Sequence, residues 1–362
     1  MMNDRPGSAF ASRLDGSMVL PPAMTFVVEN PYGSDSDGLI WGYLFTPGQP
    51  AREIDAEGAA RRLAKPDAGD SFVWLHFSLS NAASQGWLCG HLQPPDSFRE
   101  ALHQVVGSTR LEQEDDALVA VIHDVEFDFS FDPSSISTVN LWIQPRLAVS
   151  ARLKPLRSLD RLRAAIKAGA TFRSPADLLA RLLSEQANVL VDIVRKATSR
   201  VDVIEDQLLV ASVSPSRGEL GNLRRTLVRL QRLLAPEPAA FFRLLSRPPA
   251  WIAREDGDDL RHSAEEFSAA VAGCADLGAR VKLLQEEIAA AVNEQSSRTL
   301  FVLTVVTVLA LPINITTGLF GMNVGGIPFA VYGHGFLLIV TLLIAITALL
   351  AYLAFGRLRK RT

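Results

Sequence analysis

Gly321, Met322 and Asn323 stand between two long apolar runs with no charged residue near them. A neutral amide at such a place can meet the tightly held water shell of a dication without trapping the ion as a carboxylate would. Behind it, in the first apolar run, Thr304, Thr307, Asn314 and Thr317 recur with Leu300, Leu311 and Gly321 along one face of a helix, and the stripe continues down to Ser297 and Asn293. Taken singly, each threonine has an ordinary use, bonding back to the preceding turn or joining helices. Asn314 does not. An amide in hydrocarbon is costly without a polar partner or water, so it should face a bundle interior or an aqueous pore. Pro312 beside it lacks a backbone donor, which predicts a kink or a freed carbonyl at that depth.

The elements that must position these residues are legible from charge. Between Arg298 and Arg357 there is no Asp, Glu, Lys or Arg. Within that interval, 300–320 and 336–355 are each about 20 residues of mostly apolar sequence, the length that crosses about 30 Å of hydrocarbon as helix. The tail holds Arg357, Arg359, Lys360 and Arg361 and the connecting loop holds no charge, so the tail is expected on the cytoplasmic side. Two spans then return the amino-terminal part to the same side, in keeping with an amino terminus that lacks a secretory pattern. The second span carries only Thr341, Thr347 and Tyr352 as polar groups and reads as the lipid-facing partner.

Below the first span, Phe267, Val271, Cys274, Leu277, Val281, Leu284, Ile288 and Val292 step by three or four, one amphipathic helix without proline until Pro312. Run unbroken into the membrane, it makes a rod of roughly 90 Å. Ser174 as N-cap, Pro175 at the first helical position and Asp177 in the capping-box place open another long helix; further helices are expected over 216–234 and 239–246. The first half has strand composition at 39–45, 71–79, 116–129 and 137–152, interrupted by helical patterns at 56–63, near 97–106 and after Leu156. The expected organisation is an α+β membrane protein. A cytoplasmic α/β domain with a mixed or antiparallel sheet covers 1–157, its first 20 residues loose, and a helical region covers 158–255. A stalk helix follows over 256–298, a pore-lining span over 299–320, an outer loop over 321–335, a second span over 336–356 and a basic tail over 357–362.

Composition excludes several classes. With 36 basic and 39 acidic residues, a net charge of -3 predicts no nucleic-acid partner. Two cysteines, Cys89 and Cys274, make neither a disulfide framework nor a zinc knuckle, and His76, His91, His103, His123 and His262 lack metal-ligand spacing. No phosphate-binding loop, nucleophile elbow or zinc-protease helix occurs, so an enzyme is not expected and no cofactor is implied.

Gly321, Met322 and Asn323 at the outer end of the first of two carboxy-terminal spans resemble the Gly-Met-Asn signature of the CorA metal-ion transporters. The stalk helix and α/β domain are similar to that family's layout over nearly the whole chain. The continuation Val324 to Pro328 resembles the zinc-transporting ZntB branch. The resemblance implies a funnel-shaped homopentamer in the bacterial plasma membrane, with both termini cytoplasmic and lipid, divalent cations and further copies of the chain as its partners. It implies Zn²⁺ as the transported ion, with Cd²⁺, Ni²⁺, Co²⁺ or Mg²⁺ as alternatives. Carried over residue by residue, Gly321, Met322 and Asn323 form the selectivity entrance, Asn314, Leu311, Thr307 and Thr304 the lining, and Leu300 with Ser297 the inner constriction.

The loop departs from many relatives in lacking acidic residues. His334 is its one histidine and is a candidate outer metal or proton contact, more often a solvated bystander. Proton-coupled uptake, which the zinc branch implies, would have to use water, hydroxide, His334 or the cytoplasmic vestibule, because neither span has a carboxylate. Glu265, Glu266, Asp276, Glu286, Glu287 and Glu294 are candidates for an acidic funnel or inter-subunit sensing of internal metal; a solvated face paired with Arg261, Arg280, Lys282 and Arg298 is an equal reading. Two alternatives stand: a CorA-type Mg²⁺, Co²⁺ or Ni²⁺ channel, and a membrane-anchored cytoplasmic sensor or scaffold, for which Asn314 would have no use.

Overall fold

A computed structural model describes residues 33–65, 69–104, 108–209, 216–322 and 333–358. Its amino-terminal half is built on one sheet of seven strands: β1 (Leu39–Phe45), β2 (Arg52–Glu53), β3 (Phe72–Ser78), β4 (Arg110–Glu114), β5 (Ala117–Val125), β6 (Ile136–Gln144) and β7 (Leu147–Arg152). Their order is β2-β1-β3-β7-β6-β5-β4, and only β3 with β7 is parallel. β3, β5 and β7 are buried along their whole length, which is why they read as continuous apolar runs. Pro145 and Arg146 turn the chain between β6 and β7, splitting the expected 137–152 stretch into two paired strands.

Alternation along β3 divides the core in two. Val73, Leu75 and Phe77 point to one face, where they meet α1 (Ala56–Leu63), α2 (Ala83–His91) and α3 (Asp96–His103) through Ala59, Leu88 and Phe98. Asp55 caps α1 by accepting from the Gly58 N–H at 2.8 Å. Phe72 and Trp74 point to the other face, covered by α4 (Arg157–Lys167) and the long helices that follow. The mixed sheet matches the sequence; α2 and the edge strand β4 were not foreseen.

α5 (Pro175–Leu209) starts as the sequence predicts, with Ser174 Oγ accepting from the Ala176 and Asp177 N–H groups at 3.1 Å. Asp177 differs: it accepts at 3.0 Å from the Arg173 N–H, one residue before the position a capping box would use. Ser174 Oγ also donates to Asp256, tying the start of α5 to that of the last cytoplasmic helix. α6 (Ser216–Leu234) matches its expected bounds, whereas α7 (Pro236–Ser246) begins at Pro236 rather than at Ala239, proline being well suited to a first helical turn.

α8 (Arg254–Phe320) is one helix of 67 residues, about 100 Å long. Its lower part buries Leu260, Phe267, Val271, Cys274, Leu277, Val281, Leu284 and Ile288 against α5, α6 and α7, each large side chain worth about 1.5–3 kcal/mol of removal from water. α9 (Gly335–Leu358) returns and packs on the upper part of α8.

Candidate functional site

Proline inside a helix normally breaks it, yet α8 runs through Pro312 without interruption. The missing N–H leaves the Val308 carbonyl without its helical donor, so the freed-carbonyl expectation fits and no helix break accompanies it. One turn later the Thr316 hydroxyl donates to the Pro312 carbonyl at 2.7 Å. Gly321 closes the helix with φ -79° and ψ -9°, in the right-handed region. No left-handed turn calls for glycine here. What glycine provides is room, because a Cβ there would lie 2.9 Å from the Thr317 carbonyl oxygen, closer than side chains tolerate. Met322 is exposed, and Asn323 lies outside the described residues together with the loop 323–332. His334 is exposed just ahead of α9, where its carbonyl accepts from the Leu338 N–H at 3.2 Å.

At 3.6 residues per turn, Ser297, Leu300, Thr304, Thr307, Leu311 and Asn314 fall within an arc of roughly 100° on the continuous helix. All six are exposed in a single copy. Thr304 and Thr307 each donate to the carbonyl four residues back, at 2.8 Å. Thr317 does the same to Ile313 at 2.7 Å. The ordinary use of a membrane threonine thus holds, and it has a chemical consequence. With the proton directed inward, the hydroxyl oxygen offers only lone pairs outward. A hydrated dication presents water hydrogens at its periphery, so a row of acceptors suits it without any charge. Asn314, whose side chain is exposed, adds an amide oxygen of the same kind.

The stalk acids are spread along α8 and do not converge. Glu266 accepts from Ser184 Oγ at 3.2 Å and lies 3.4 Å from His262, and Glu286 lies 3.7 Å from Lys282. Arg280 serves Asp202 and Glu205 of α5 rather than a stalk acid. Glu265, Asp276, Glu287 and Glu294 are exposed. Among the described residues no group of three or more His, Cys, Asp or Glu is placed to hold a metal ion.

Two buried polar clusters lie in the cytoplasmic domain. Glu237, at the start of α7, accepts from the His123 N–H of β5 at 2.5 Å, and burial pushes its carboxyl up to about 7 against the pull of the His123 hydrogen bonds. Next to it burial raises Asp124 to about 6, opposed by hydrogen bonds from Ser158. His76 accepts from Arg152 at 2.8 Å, which makes Nδ1 the protonated nitrogen and Ser150 Oγ its acceptor at 2.7 Å. Burial, with the Arg152 and Arg163 charges, holds His76 well below the usual histidine range. Neither cluster was foreseen from the sequence, since the partners stand 114 and 76 residues apart.

The sequence matches the family described as CorA-like Mg²⁺ transporter protein over residues 69–360. The chain belongs to the CorA family. Among its CorA relatives, the zinc transport protein ZntB of Klebsiella pneumoniae subsp. pneumoniae is 25% identical over 295 residues, covering 81% of this chain and 90% of that protein. The divalent cation transporter CmaX of Pseudomonas aeruginosa is 25% identical over 336 residues, covering 90% and 97%. The structure of full-length CmaX superposes with a TM-score of 0.76 at 25% identity, over 90% of this chain and 99% of that one. As a CorA protein this chain is a divalent-cation transporter and not an enzyme. It sits in the inner membrane through α8 and α9, with the sheet domain in the cytoplasm. In a single copy the apolar windows of the two spans are 0% and 6% buried. Among the described residues one copy encloses no conduit, so transport takes an oligomer.

Proposed function

We propose that five copies form a ring in which the upper parts of α8 surround a central pore, and that the ion carried is chiefly Zn²⁺. The observation that carries this reading is the acceptor stripe on an unbroken helix that buries one face below and no residue from Leu300 to Phe320 above. In the ring, Asn323 with Gly321 and Met322 forms the entrance, Asn314, Leu311, Thr307 and Thr304 line the passage, and Leu300 with Ser297 makes the inner constriction. Amide and hydroxyl oxygens handle the ion within its water shell, so passage does not require stripping it. Zn²⁺ is favoured because relatives of this chain are named zinc transport proteins. The name CmaX carries, divalent cation transporter, keeps Mg²⁺, Co²⁺ and Ni²⁺ as competing cargo. Of the stalk acids, Glu286 continues the stripe's azimuth and is offset by Lys282, so attraction of cations in the vestibule is weak and sensing by these acids is not needed for passage.

The test is reconstitution into liposomes with a metal-sensitive dye inside, comparing Zn²⁺, Mg²⁺ and Co²⁺ entry with and without a pH gradient. Wild type is expected to pass Zn²⁺ fastest, and Asn323→Ala to lose most of that flux. Equal flux in both proteins would remove Asn323 from the entrance, and faster Mg²⁺ entry would reassign the cargo.

A further inference from the structure

Besides Arg217 near its start, α6 carries Arg224, Arg225, Arg229 and Arg232, and none of these four forms an ion pair among the described residues. Arg224, Arg225 and Arg232 are exposed, and in their midst Val228 leaves 51% of its surface open. An unpaired basic face with an apolar centre is an unusual thing to leave in water. On a different flank of α8, where it meets α5, lies an open groove floored by Ala269, Ala270 and Gly273 and walled by Val191, 41% exposed. Glu266 stands in that groove, and Asp202 and Asp276 are exposed above it. Arg195, the groove's own cation, already has Asp192 at 3.6 Å.

Height decides whether these two surfaces can meet. α6 runs antiparallel to α8: Cys274 Sγ lies 3.6 Å from the Leu227 carbonyl, while Arg224, earlier in α6, reaches Gln285 Oε1 at 3.0 Å. Val228 therefore sits near the level of Cys274, with Arg224 and Arg225 above and Arg232 below. α5 runs parallel to α8, with Ser184 against Glu266 and Glu205 against Arg280, so the groove lies just below the level of Cys274 and Asp202 just above. A cyclic ring turns copies about its axis without moving them along it, so only surfaces of equal height can touch.

We infer that the arginine face of α6 docks into the α5–α8 groove of the next copy around the ring. Val228 enters the groove over Gly273, Arg224 and Arg225 reach Asp202 and Asp276 above, and Arg232 reaches Glu266 below. Small residues on the groove floor let the neighbouring helix approach closely, and the head-to-tail pairing of unlike surfaces closes a ring rather than a two-fold dimer. This inference rests on the ring proposed above, and it assigns which cytoplasmic surfaces hold that ring together.

The experiment uses full-length protein in detergent with Cys89→Ser, adding Val228→Cys and Gly273→Cys singly and together, treated with a short bis-maleimide. A ladder of cross-linked species in the double variant and none in either single variant is expected, because unlike surfaces meet. Native mass spectrometry of the untreated samples separates the two proposals: intact rings without a ladder overturn the docking alone, and monomers throughout overturn the ring as well. A second arm needs no cysteine. Arg224→Glu with Arg225→Glu should lower the ring fraction several-fold at low salt, and adding Asp202→Arg with Asp276→Arg should restore it. Failure to restore, with each variant melting as wild type does, overturns the pairing.

Discussion

The two ends of α8 obey different rules. From Leu260 to Ile288 every third or fourth residue is buried by helices of the same chain, and the exposed remainder is polar or small apart from Leu283. From Leu300 to Phe320 no side chain is buried, and large apolar residues look outward on all sides. A single backbone thus passes between two solvents. The lower part is stabilised by its own fold; the upper part depends on lipid and on other copies. Substitutions in the lower part should therefore move stability, and substitutions in the upper part should move transport.

Phe267→Ala tests the first half most severely. Phe267 is 1% exposed in the centre of the helical core, and its removal should cost about 3–5 kcal/mol, read as a lower melting temperature of the cytoplasmic domain. Leu303→Ala, in the exposed span, should leave that melt unchanged. A comparable loss from both would erase the distinction.

Protonation sharpens it next. Glu237 binds its proton more tightly folded than unfolded, since burial lifts it to about 7 from 4.5. The stability it contributes is full below about pH 4.5 and is lost as pH rises through about 7. His76 has the opposite sign: held below 6.5 in the fold, it loses stability as pH falls through 6.5. Glu237→Gln keeps an acceptor for His123 and removes the ionisation, so its melting temperature should fall less than wild type's between pH 5 and 8. An unchanged slope would show that another group dominates.

Asn314→Leu should reduce cation flux about tenfold while leaving the domain melt alone, since in the proposed ring it removes one layer of acceptors and leaves the entrance intact. Unaltered flux would take Asn314 off the pathway. The smallest effect is expected from Arg280→Ala. Its carboxylate partners on α5 are 31% and 53% exposed, and solvent screening limits such a bridge to about 0.2–1 kcal/mol in a denaturation series.

How far the sequence reached follows the same division. β1 and α6 were legible to the residue because apolar spacing is local, and the acceptor stripe was legible because an uncharged run makes each polar residue conspicuous. β4, Arg110–Glu114, is a polar edge strand with little to alternate, and α2 carries two glycines in nine residues, so neither announces itself. The His123–Glu237 and His76–Arg152 contacts, like the matched heights of α6 and the α5–α8 groove, exist only once distant segments are brought together.

The absence of any break in α8 makes it a lever. If Cys274 against Leu227 is taken as the fulcrum, Thr307 lies about 50 Å along the arm, so a swing of about 1° displaces it by roughly 1 Å. In the proposed ring a swing of about 3° would shift Thr307 by the width of a water molecule, enough to wet or dry the passage without melting a single helical turn.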